Sequence, residues 1–390
     1  MAIVMWQGET RYHFGPVESS LVTRRGVITD GNGFRDKVEW GKGTQVAEIR
    51  ADTAPGQYGD VTVIAKRLDE GGYFLDLWQH PWAVSRTANC EPFSPEHYKA
   101  MKGLWEMLGE AGQKTLTVTL IELPWNHQCY DGYGTMVKVK ESEQGFVYDF
   151  SRFDEYVKFG RRCGIGPYIS LWTMCPWGNI HRWQDESGGE KIRELRLGTA
   201  EYEAFWRPYL RALRAHLKEK GWLGNVFMAM DERSPEEVAA AVRLIKEEAP
   251  ELKVQMAGDR AATEFDGIEI DYYSQSLEHL TEEFKAIAKR RKQQGLITTF
   301  YVCCHPESPN TFMSSPKEEA FGLGAMTADL GLDGFLRWAY NSWPADPDKD
   351  ASYGNWPAGD TFLVYPDGSP SVRFLELLNG IAEAEKRKQG

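Results

Sequence analysis

Eight short apolar runs recur along the chain, and segments with helical periodicity separate most of them. Apolar runs of strand length that alternate with helices are typical of a parallel sheet whose two faces are both covered. Eight such repeats are the number that closes a parallel barrel. The sequence therefore predicts an α/β fold, a (β/α)8 TIM-like barrel. The predicted strands are 73–80, 116–123, 168–174, 226–230, 253–257, 268–273, 297–304 and 334–340.

Several of the predicted helices carry their own start signals. Ser234 precedes Pro235, and Glu237 follows three residues later, which is a capping-box pattern with proline at the first helical position. Ser151 is a candidate N-cap for the helix that follows it. The helices predicted between the strands are 95–109, 153–162, 201–220, 235–248, 280–293 and 317–330.

Other segments lie outside this rhythm. Residues 136–140 and 146–150 flank a turn-like stretch and predict a β-hairpin inserted after the second strand. At the end of the chain we expect a strand over 361–365 and a helix over 371–388. The predicted domains are a short β-rich N-terminal segment over 1–65, a barrel over 66–343, and a C-terminal strand and helix over 344–390 that pack on the barrel.

Composition and charge exclude several classes of protein. The 390 residues include 45 basic and 57 acidic ones, and the resulting net charge of −12 argues against a nucleic-acid binder. The sequence contains no apolar stretch of the length that a membrane span needs. The first residues show no secretory signal. We therefore expect a cytoplasmic protein if the chain is complete, and a secreted or periplasmic one if it is trimmed.

The sequence favours neither a metal centre nor a bound cofactor. None of the six cysteines forms a C-x-x-C pair, so free buried thiols are expected. Motifs for zinc proteases, phosphate-binding loops, dinucleotide folds and serine hydrolases are absent from the sequence. The histidines that follow predicted strands have no known metal-ligand spacing; they are His80, His127, His181 and His305.

Aromatic, acidic and amide side chains follow the predicted strands, where a barrel carries its active site. Aromatic rings stack on the C–H faces of sugars, and carboxylates and amides hold hydroxyl groups. The most specific feature is the apolar run 226–230, which Asp231 and Glu232 follow directly. Adjacent buried acids raise a pKa, as the acid of a glycosidase requires. A helix N-cap with a first-turn acid is the alternative interpretation of this dipeptide.

The direction of the two acids bears on the mechanism. Consecutive side chains of an extended strand point to opposite sides. Asp231 and Glu232 are therefore not expected to form the facing carboxylate pair, about 5 Å apart in retaining glycosidases and about 6.5–9.5 Å apart in inverting ones.

Five segments together resemble glycoside hydrolase family 123, the β-N-acetylgalactosaminidases. They are 75–81, 124–131, the Asp231–Glu232 pair, 334–343, and 359–366 with 371–373. The resemblance covers roughly residues 55–388. One departure is that relatives carry a larger N-terminal β-sandwich, of which only the apparent end near 54–65 is evident.

The resemblance implies a retaining exo-glycosidase that releases terminal β-linked N-acetylgalactosamine without a cofactor. The carbonyl oxygen of the 2-acetamido group would attack the anomeric carbon and form an oxazolinium intermediate. Glu232 would protonate the leaving oxygen and then activate water, and Asp231 would accept the acetamide N–H. The glycan partner could be a glycolipid, a glycoprotein or an oligosaccharide.

The resemblance also suggests the residues that bind the sugar. A tyrosine hydroxyl usually holds the acetamide carbonyl in such sites, and the candidates are Tyr273, the first choice, with Tyr272 and Tyr301. Trp338 and Trp343 would wall the pocket. Further partners for sugar hydroxyls would be Asn341, His80, His127 and Asp360.

Two alternatives belong to other classes. One is a conventional retaining glycosidase with Glu232 as the acid and Asp259, Asp271 or Glu122 as the nucleophile. The other is a carbohydrate-binding barrel without catalytic activity.

Overall fold

A computed structural model describes residues 72–388, the backbone of residue 389, and the backbone of six strands that precede them. The six strands form two antiparallel three-stranded sheets. The predicted domain boundary at residue 65 lies beside 67–71, which are outside the described residues, so the division stays a prediction. The strands are β1 Ala2–Gln7, β2 Thr10–Pro16, β3 Leu21–Ile28, β4 Lys37–Glu39, β5 Gln45–Ala51 and β6 Gly59–Lys66.

The predicted barrel is confirmed. Eight parallel strands follow one another around the sheet in chain order, and their side chains are almost all buried. Strands covered on both faces need apolar side chains on both faces, which explains the continuous apolar runs of the sequence. The barrel strands are β7 Phe74–Leu77, β8 Thr115–Thr119, β11 Tyr168–Trp172, β14 Val226–Asp231, β15 Lys253–Gly258, β16 Tyr272–Ser276, β17 Ile297–Val302 and β18 Gly334–Arg337.

Side-chain amides help to close the seam between the first and last strands of the sheet, β8 and β7. A single parallel bridge joins Leu75 to Gln113. Gln113 Oε1 accepts a hydrogen bond from the Leu77 N–H at 2.9 Å, and Gln79 Oε1 accepts one from the Thr117 N–H at 2.8 Å. Buried backbone N–H and C=O groups need hydrogen-bond partners. At this seam, glutamine side chains provide the hydrogen bonds that a neighbouring strand would otherwise provide.

Helices cover the outside of the barrel, and their bounds agree closely with the predictions. Ser234 accepts a hydrogen bond from the Glu237 N–H, and the Glu237 side chain accepts one from the Ser234 N–H, which confirms the capping box. The N-cap prediction for Ser151 is wrong, because Ser151 is the first residue of its helix. The helices are α1 Pro81–Thr87, α2 Pro95–Glu110, α3 Ser151–Arg162, α4 Ala200–Glu219, α5 Pro235–Glu248, α6 Glu282–Gln293, α7 Lys317–Leu330 and α8 Val372–Gln389. Among the helices of the described residues, none is both long and apolar enough for a membrane crossing.

The inserted hairpin is confirmed and belongs to a larger sheet. Its strands are β9 Lys138–Ser142 and β10 Gly145–Asp149. A second hairpin, which the sequence did not predict, follows the third barrel strand as β12 Ile180–Gln184 and β13 Glu190–Glu194. The two hairpins join into one four-stranded sheet of order β10-β9-β12-β13.

Two predicted elements require correction. The sixth barrel strand is displaced toward the C-terminus, so Asp271 precedes it instead of lying near its end. Residues 361–365 form two isolated bridges, Asn341 with Phe362 and Val364 with Pro370, because the chain turns back at Gly368. The predicted C-terminal helix is present as α8 and packs closely on α7. A Cβ atom at Gly380 would lie 2.0 Å from the Phe321 carbonyl oxygen.

Candidate active site

A cavity of about 290 Å³ opens at the carboxyl ends of the barrel strands. Active sites of parallel barrels lie at this face. Other cavities are larger, and among them are those of about 450 and 420 Å³ beside Tyr273 and beside Glu122. Size alone does not define a site, and the smaller cavity is the one that contains the acid pair. Its lining residues are Trp78, Gln128, Trp177, Asp231, Glu232, Ala257, Tyr301, Cys303, Cys304, Leu336, Trp338 and Trp356.

Asp231 and Glu232 enter this cavity together. Asp231 is the last residue of β14, and Glu232 adopts a left-handed conformation with φ of 49°. The Glu232 N–H donates to the Ala257 carbonyl at 2.8 Å, which holds the turn against the neighbouring strand β15. The expected opposite directions of the two side chains apply to extended backbone, so the turn at Glu232 corrects that expectation. Non-glycine residues in this region are uncommon and cluster at functional sites.

Both carboxyl groups hold their protons more tightly than carboxyls in water. Burial raises the pKa of Asp231 well above its ordinary value, and the negative charge of Glu232 raises it further. Burial is also the main cause that raises the pKa of Glu232, while the Tyr301 hydroxyl opposes the rise. Arg233 lowers the pKa of both groups by a smaller amount. The pair therefore retains a proton at a pH where two surface carboxyls would both be ionised.

Aromatic rings form the floor and walls of the cavity. Trp78 stacks on Trp125 with ring centroids 5.2 Å apart and packs against Trp172 at 4.2 Å. Trp338 and Trp356 also line the cavity, with ring centroids 6.4 Å apart. Flat indole faces bury the C–H surface of a sugar ring, so these walls suit a carbohydrate.

A buried ion pair lies next to the Trp338 wall. Arg337 Nη2 donates to Asp360 Oδ1 at 2.6 Å, and both side chains are fully buried. Arg337 also donates to the Val302 carbonyl at 2.7 Å, so it ties the loop of Asp360 to the end of β17. Asp360 does not line the cavity and is the counter-ion of Arg337, so its role as a partner for a sugar hydroxyl stays a prediction.

The first choice among the tyrosines lies outside this cavity. Tyr273 points away from the barrel interior, where its hydroxyl donates to the Arg260 carbonyl at 3.2 Å. Tyr272 points inward but lies deeper, with its hydroxyl bonded to Asp76 Oδ2 at 3.1 Å. Tyr301 is the candidate that lines the cavity, and its hydroxyl donates to Glu232 Oε1 at 2.9 Å. Alternation along β16 separates Tyr272 from Tyr273, because neighbouring residues of a strand face opposite sides.

Four other predicted binding residues are also absent from the cavity lining. The Asn341 side chain bonds both backbone groups of His80, at 2.9 and 3.1 Å. His80 is buried, caps α1, and has its pKa lowered by burial to about 3, so it is neutral. Trp343 donates its indole N–H to the Val364 carbonyl at 2.6 Å in the core. His127 is exposed on the loop next to Gln128. These side chains support or flank loops of the barrel mouth.

The alternative nucleophiles differ in their positions. Asp259 has a side chain that is 40% exposed and pairs with Arg260 at 3.2 Å. Asp271 accepts a hydrogen bond from the Val254 N–H at 2.8 Å near the start of β15, at the opposite end of the barrel. Glu122 lines the cavity of about 420 Å³. None of the three lines the cavity of the acid pair.

Sequence reasoning gave no role to several lining residues. Trp78, Cys303 and Cys304 follow barrel strands, and that position was the available signal. Trp356 lies in an irregular loop with no periodic pattern, so no local signal marks it. Within residues 72–388, no cluster of three or more histidine, cysteine, aspartate or glutamate side chains could hold a metal ion.

Comparison with known proteins identifies the family of the chain. A model of the glycoside hydrolase 123 catalytic domain matches residues 78–388, which is most of the chain. The fold and the family match together define a glycosidase on an α/β barrel. The chain belongs to glycoside hydrolase family 123.

Solved structures with the same architecture include a family 123 glycoside hydrolase from Clostridium perfringens, whose study describes glycolipid glycan hydrolysis. It is 23% identical, with a TM-score of 0.76 over 95% of this chain and 80% of that chain. A GH10 endoxylanase from a sugarcane soil metagenome is 12% identical, with a TM-score of 0.42 over 79% of this chain and 97% of that chain. The active domain 2 of a chitinase from Pyrococcus furiosus is 10% identical, with a TM-score of 0.42 over 81% and 96%. No curated protein sequence matches the chain.

Proposed function

We propose that this enzyme is a retaining exo-glycosidase that releases terminal β-linked N-acetylgalactosamine by substrate-assisted catalysis. The observation that carries the proposal is the pair Asp231 and Glu232 in one tryptophan-lined cavity. Among the described residues that line this cavity, these two are the only carboxylic acids. A mechanism in which the sugar supplies its own nucleophile needs two acids with different tasks and no third.

In the first step, the acetamide carbonyl oxygen attacks the anomeric carbon while the bond to the leaving oxygen breaks. Glu232 donates its proton to that oxygen, and Asp231 accepts the acetamide N–H and stabilises the positive oxazolinium. In the second step, Glu232 takes a proton from a water molecule. The water oxygen attacks the anomeric carbon and opens the oxazolinium ring. Two inversions at one carbon retain the anomeric configuration.

The electrostatics of the pair suit this division of tasks. When a buried pair of acids holds one proton, hydrogen bonds from the bound substrate determine which of the two acids is protonated. An acetamide N–H that donates to Asp231 favours the ionised form of Asp231, and the shared proton then resides on Glu232. Glu232 is the less deeply buried of the two acids, as suits a group that exchanges protons with a leaving group and water.

Tyr301 takes the part that the sequence interpretation gave first to Tyr273. Its hydroxyl lies beside Glu232 in the cavity, within reach of a sugar bound against both acids. We assign to it the orientation of Glu232 and of the acetamide carbonyl. Because the Clostridium perfringens relative is described through glycolipid glycan hydrolysis, glycans of that kind are the natural substrates to test first.

The test compares three aryl glycosides. We expect hydrolysis of the β-N-acetylgalactosaminide, weaker hydrolysis of the β-N-acetylglucosaminide and none of the plain β-galactoside, which lacks the acetamide group. Inhibition by a thiazoline mimic of the oxazoline is expected too. Equal cleavage of the plain galactoside, or a glycosyl-enzyme trapped by a fluorosugar, would instead favour a protein nucleophile. Binding of the sugar without turnover of any glycoside would favour a non-catalytic barrel.

Matched variants separate the two acids. Glu232→Gln should lose activity by about 10²–10⁴-fold on a substrate with a poor leaving group, because general acid catalysis contributes that much. Asp231→Asn should lose the acetamide-dependent part of the rate while the protein stays folded. Glu122→Gln, in the separate cavity of about 420 Å³, serves as the control and should keep wild-type rates.

A further inference from the structure

Two adjacent thiols, Cys303 and Cys304, line the same cavity as Glu232. Both are free and partly buried, and they directly follow the end of β17 at Val302. The chain bends there, and the Cys303 N–H donates to the His305 carbonyl at 3.0 Å. The bend turns both thiols toward the cavity, whereas consecutive residues of an extended strand would diverge.

The geometry of the pair disfavours a direct disulfide. The peptide bond between the two cysteines is trans, and a trans peptide holds consecutive Cα atoms about 3.8 Å apart. Disulfides normally span Cα distances of about 4.4–6.8 Å, so a ring closed by a sulfur–sulfur bond would be strained. A single atom that binds both sulfurs enlarges this ring by one member and removes that restriction.

We propose that Cys303 and Cys304 form a dithiol site for a soft, thiophilic atom, and that a trivalent arsenical is the ligand class that fits it. Soft centres select sulfur ligands over oxygen and nitrogen. With phenylarsine oxide, each sulfur forms one bond to arsenic, and the oxygen leaves as water with the two thiol protons. Arsenic stays trivalent, so no oxidant or reductant is needed.

One thiol of the pair is suited to begin this reaction near neutral pH. The hydrogen bond from the Cys303 thiol lowers the pKa of Cys304 to about 7. The thiolate is the attacking form of cysteine, so Cys304 would bond arsenic first and Cys303 would close the ring. The other cysteines of the described residues are Cys90, which is partly buried, and Cys129, Cys163 and Cys175, which are buried.

The site has a consequence for catalysis that rests on the proposed function. The arsenic-bound phenyl group would occupy a cavity of about 290 Å³ that Glu232 and Trp338 also line. A sugar and this group would then exclude one another. We therefore expect glycosidase activity to fall in proportion to the fraction of chains that carry the adduct.

The experiment treats the whole protein with phenylarsine oxide and measures intact mass. We expect one phenylarsenic group per wild-type chain, stable to excess glutathione and removed by 2,3-dimercaptopropanol, which offers two thiols. Cys303→Ser and Cys304→Ser should each lose the glutathione-stable adduct. The control Cys90→Ser should retain it. Near-ultraviolet circular dichroism checks that each variant is folded, and Cys304→Ala provides a second substitution.

The outcomes separate this proposal from the glycosidase. A glutathione-stable adduct that survives in Cys303→Ser or Cys304→Ser, or its absence from the wild-type protein, would overturn the dithiol site. Quantitative formation of a Cys303–Cys304 disulfide in glutathione buffer would contradict the strain argument behind it. A one-to-one adduct on a protein that hydrolyses no glycoside would support the dithiol site while the proposed glycosidase fails.

Discussion

The hydroxyl of Tyr301 donates a hydrogen bond to Glu232 Oε1 at 2.9 Å, although 69 residues separate the two in the chain. Parallel strands β14 and β17 bring them together because both end at the same face of the barrel. This bond favours the ionised form of Glu232 and moderates the rise of its pKa that burial causes. Tyr301 thereby helps to determine the pH range in which Glu232 holds its proton.

Tyr301→Phe removes this bond, so the pKa of Glu232 should rise. The alkaline limb of the kcat/KM profile, where the acid loses its proton, should move to higher pH. The rate at the optimum should fall by about 10- to 100-fold, because a hydrogen bond to a charged group is worth about 1.5–3 kcal/mol. Tyr273→Phe is the matched control and should leave the profile unchanged, since its hydroxyl bonds Arg260 outside the cavity. An identical shift in both variants would exclude this role for Tyr301.

Asp231→Asn should stabilise the fold at alkaline pH while it removes the acetamide-dependent part of the rate. The pKa of Asp231 is raised in the folded state, so the folded protein binds its proton more tightly, and stability falls as pH rises through the folded pKa. Asparagine has no charge to bury. The free energy of unfolding should exceed that of the wild type at pH 8, with a smaller difference at pH 5. Urea unfolding at both pH values measures this difference in free energy. A difference that is independent of pH would contradict a raised pKa of Asp231 in the folded state.

Asp76 offers a second test of burial inside the barrel, away from the acid pair. Burial raises its pKa to about 6, although Thr115, Tyr272 and Gln255 donate hydrogen bonds to the carboxyl group. The folded state therefore binds an extra proton between the ordinary pKa of 3.8 and about 6. The contribution of Asp76 to the free energy of unfolding is fully present below this pH window and is lost as pH rises through about 6.

Asp76→Asn should remove this part of the pH dependence. The difference in unfolding free energy between wild type and variant should change by about 2.4 kcal/mol between pH 4 and pH 7, since one pKa unit corresponds to about 1.4 kcal/mol. Thermal or urea unfolding at four pH values gives the slope. Parallel curves for the two proteins would show that Asp76 does not titrate in this window.

Gly334 and Gly322 provide a matched pair of glycine substitutions. A Cβ atom at Gly334 would lie 1.8 Å from the Phe74 carbonyl oxygen across the β18–β7 pairing. Gly334→Ala must therefore move backbone, and overpacking of this kind costs about 1–3 kcal/mol. Gly322 lies in α7 with nothing within 4 Å of a Cβ atom, so Gly322→Ala should stabilise the protein by up to about 1 kcal/mol. Unfolding curves that change in the same direction would contradict this contrast.

The rhythm of strands and helices could be predicted from the chain because it depends on local burial. A strand covered on both faces must be apolar throughout, and a helix on its outside must be amphipathic, so each segment carries its own signal. The capping box at Ser234 and the acid pair Asp231 and Glu232 could be recognised in the sequence for the same reason. They are fixed by residues that are neighbours in sequence.

The choice among candidate side chains depended on the tertiary structure. A shift of one residue in a strand reverses the side to which a side chain points, and the sequence does not fix the register of β16 that finely. Tyr273 therefore lies outside the cavity while Tyr301 lies within it. The turn at Glu232 brought both acids into one cavity. Trp356 reaches the barrel mouth from an irregular loop, and only long-range packing decides where such a loop lies.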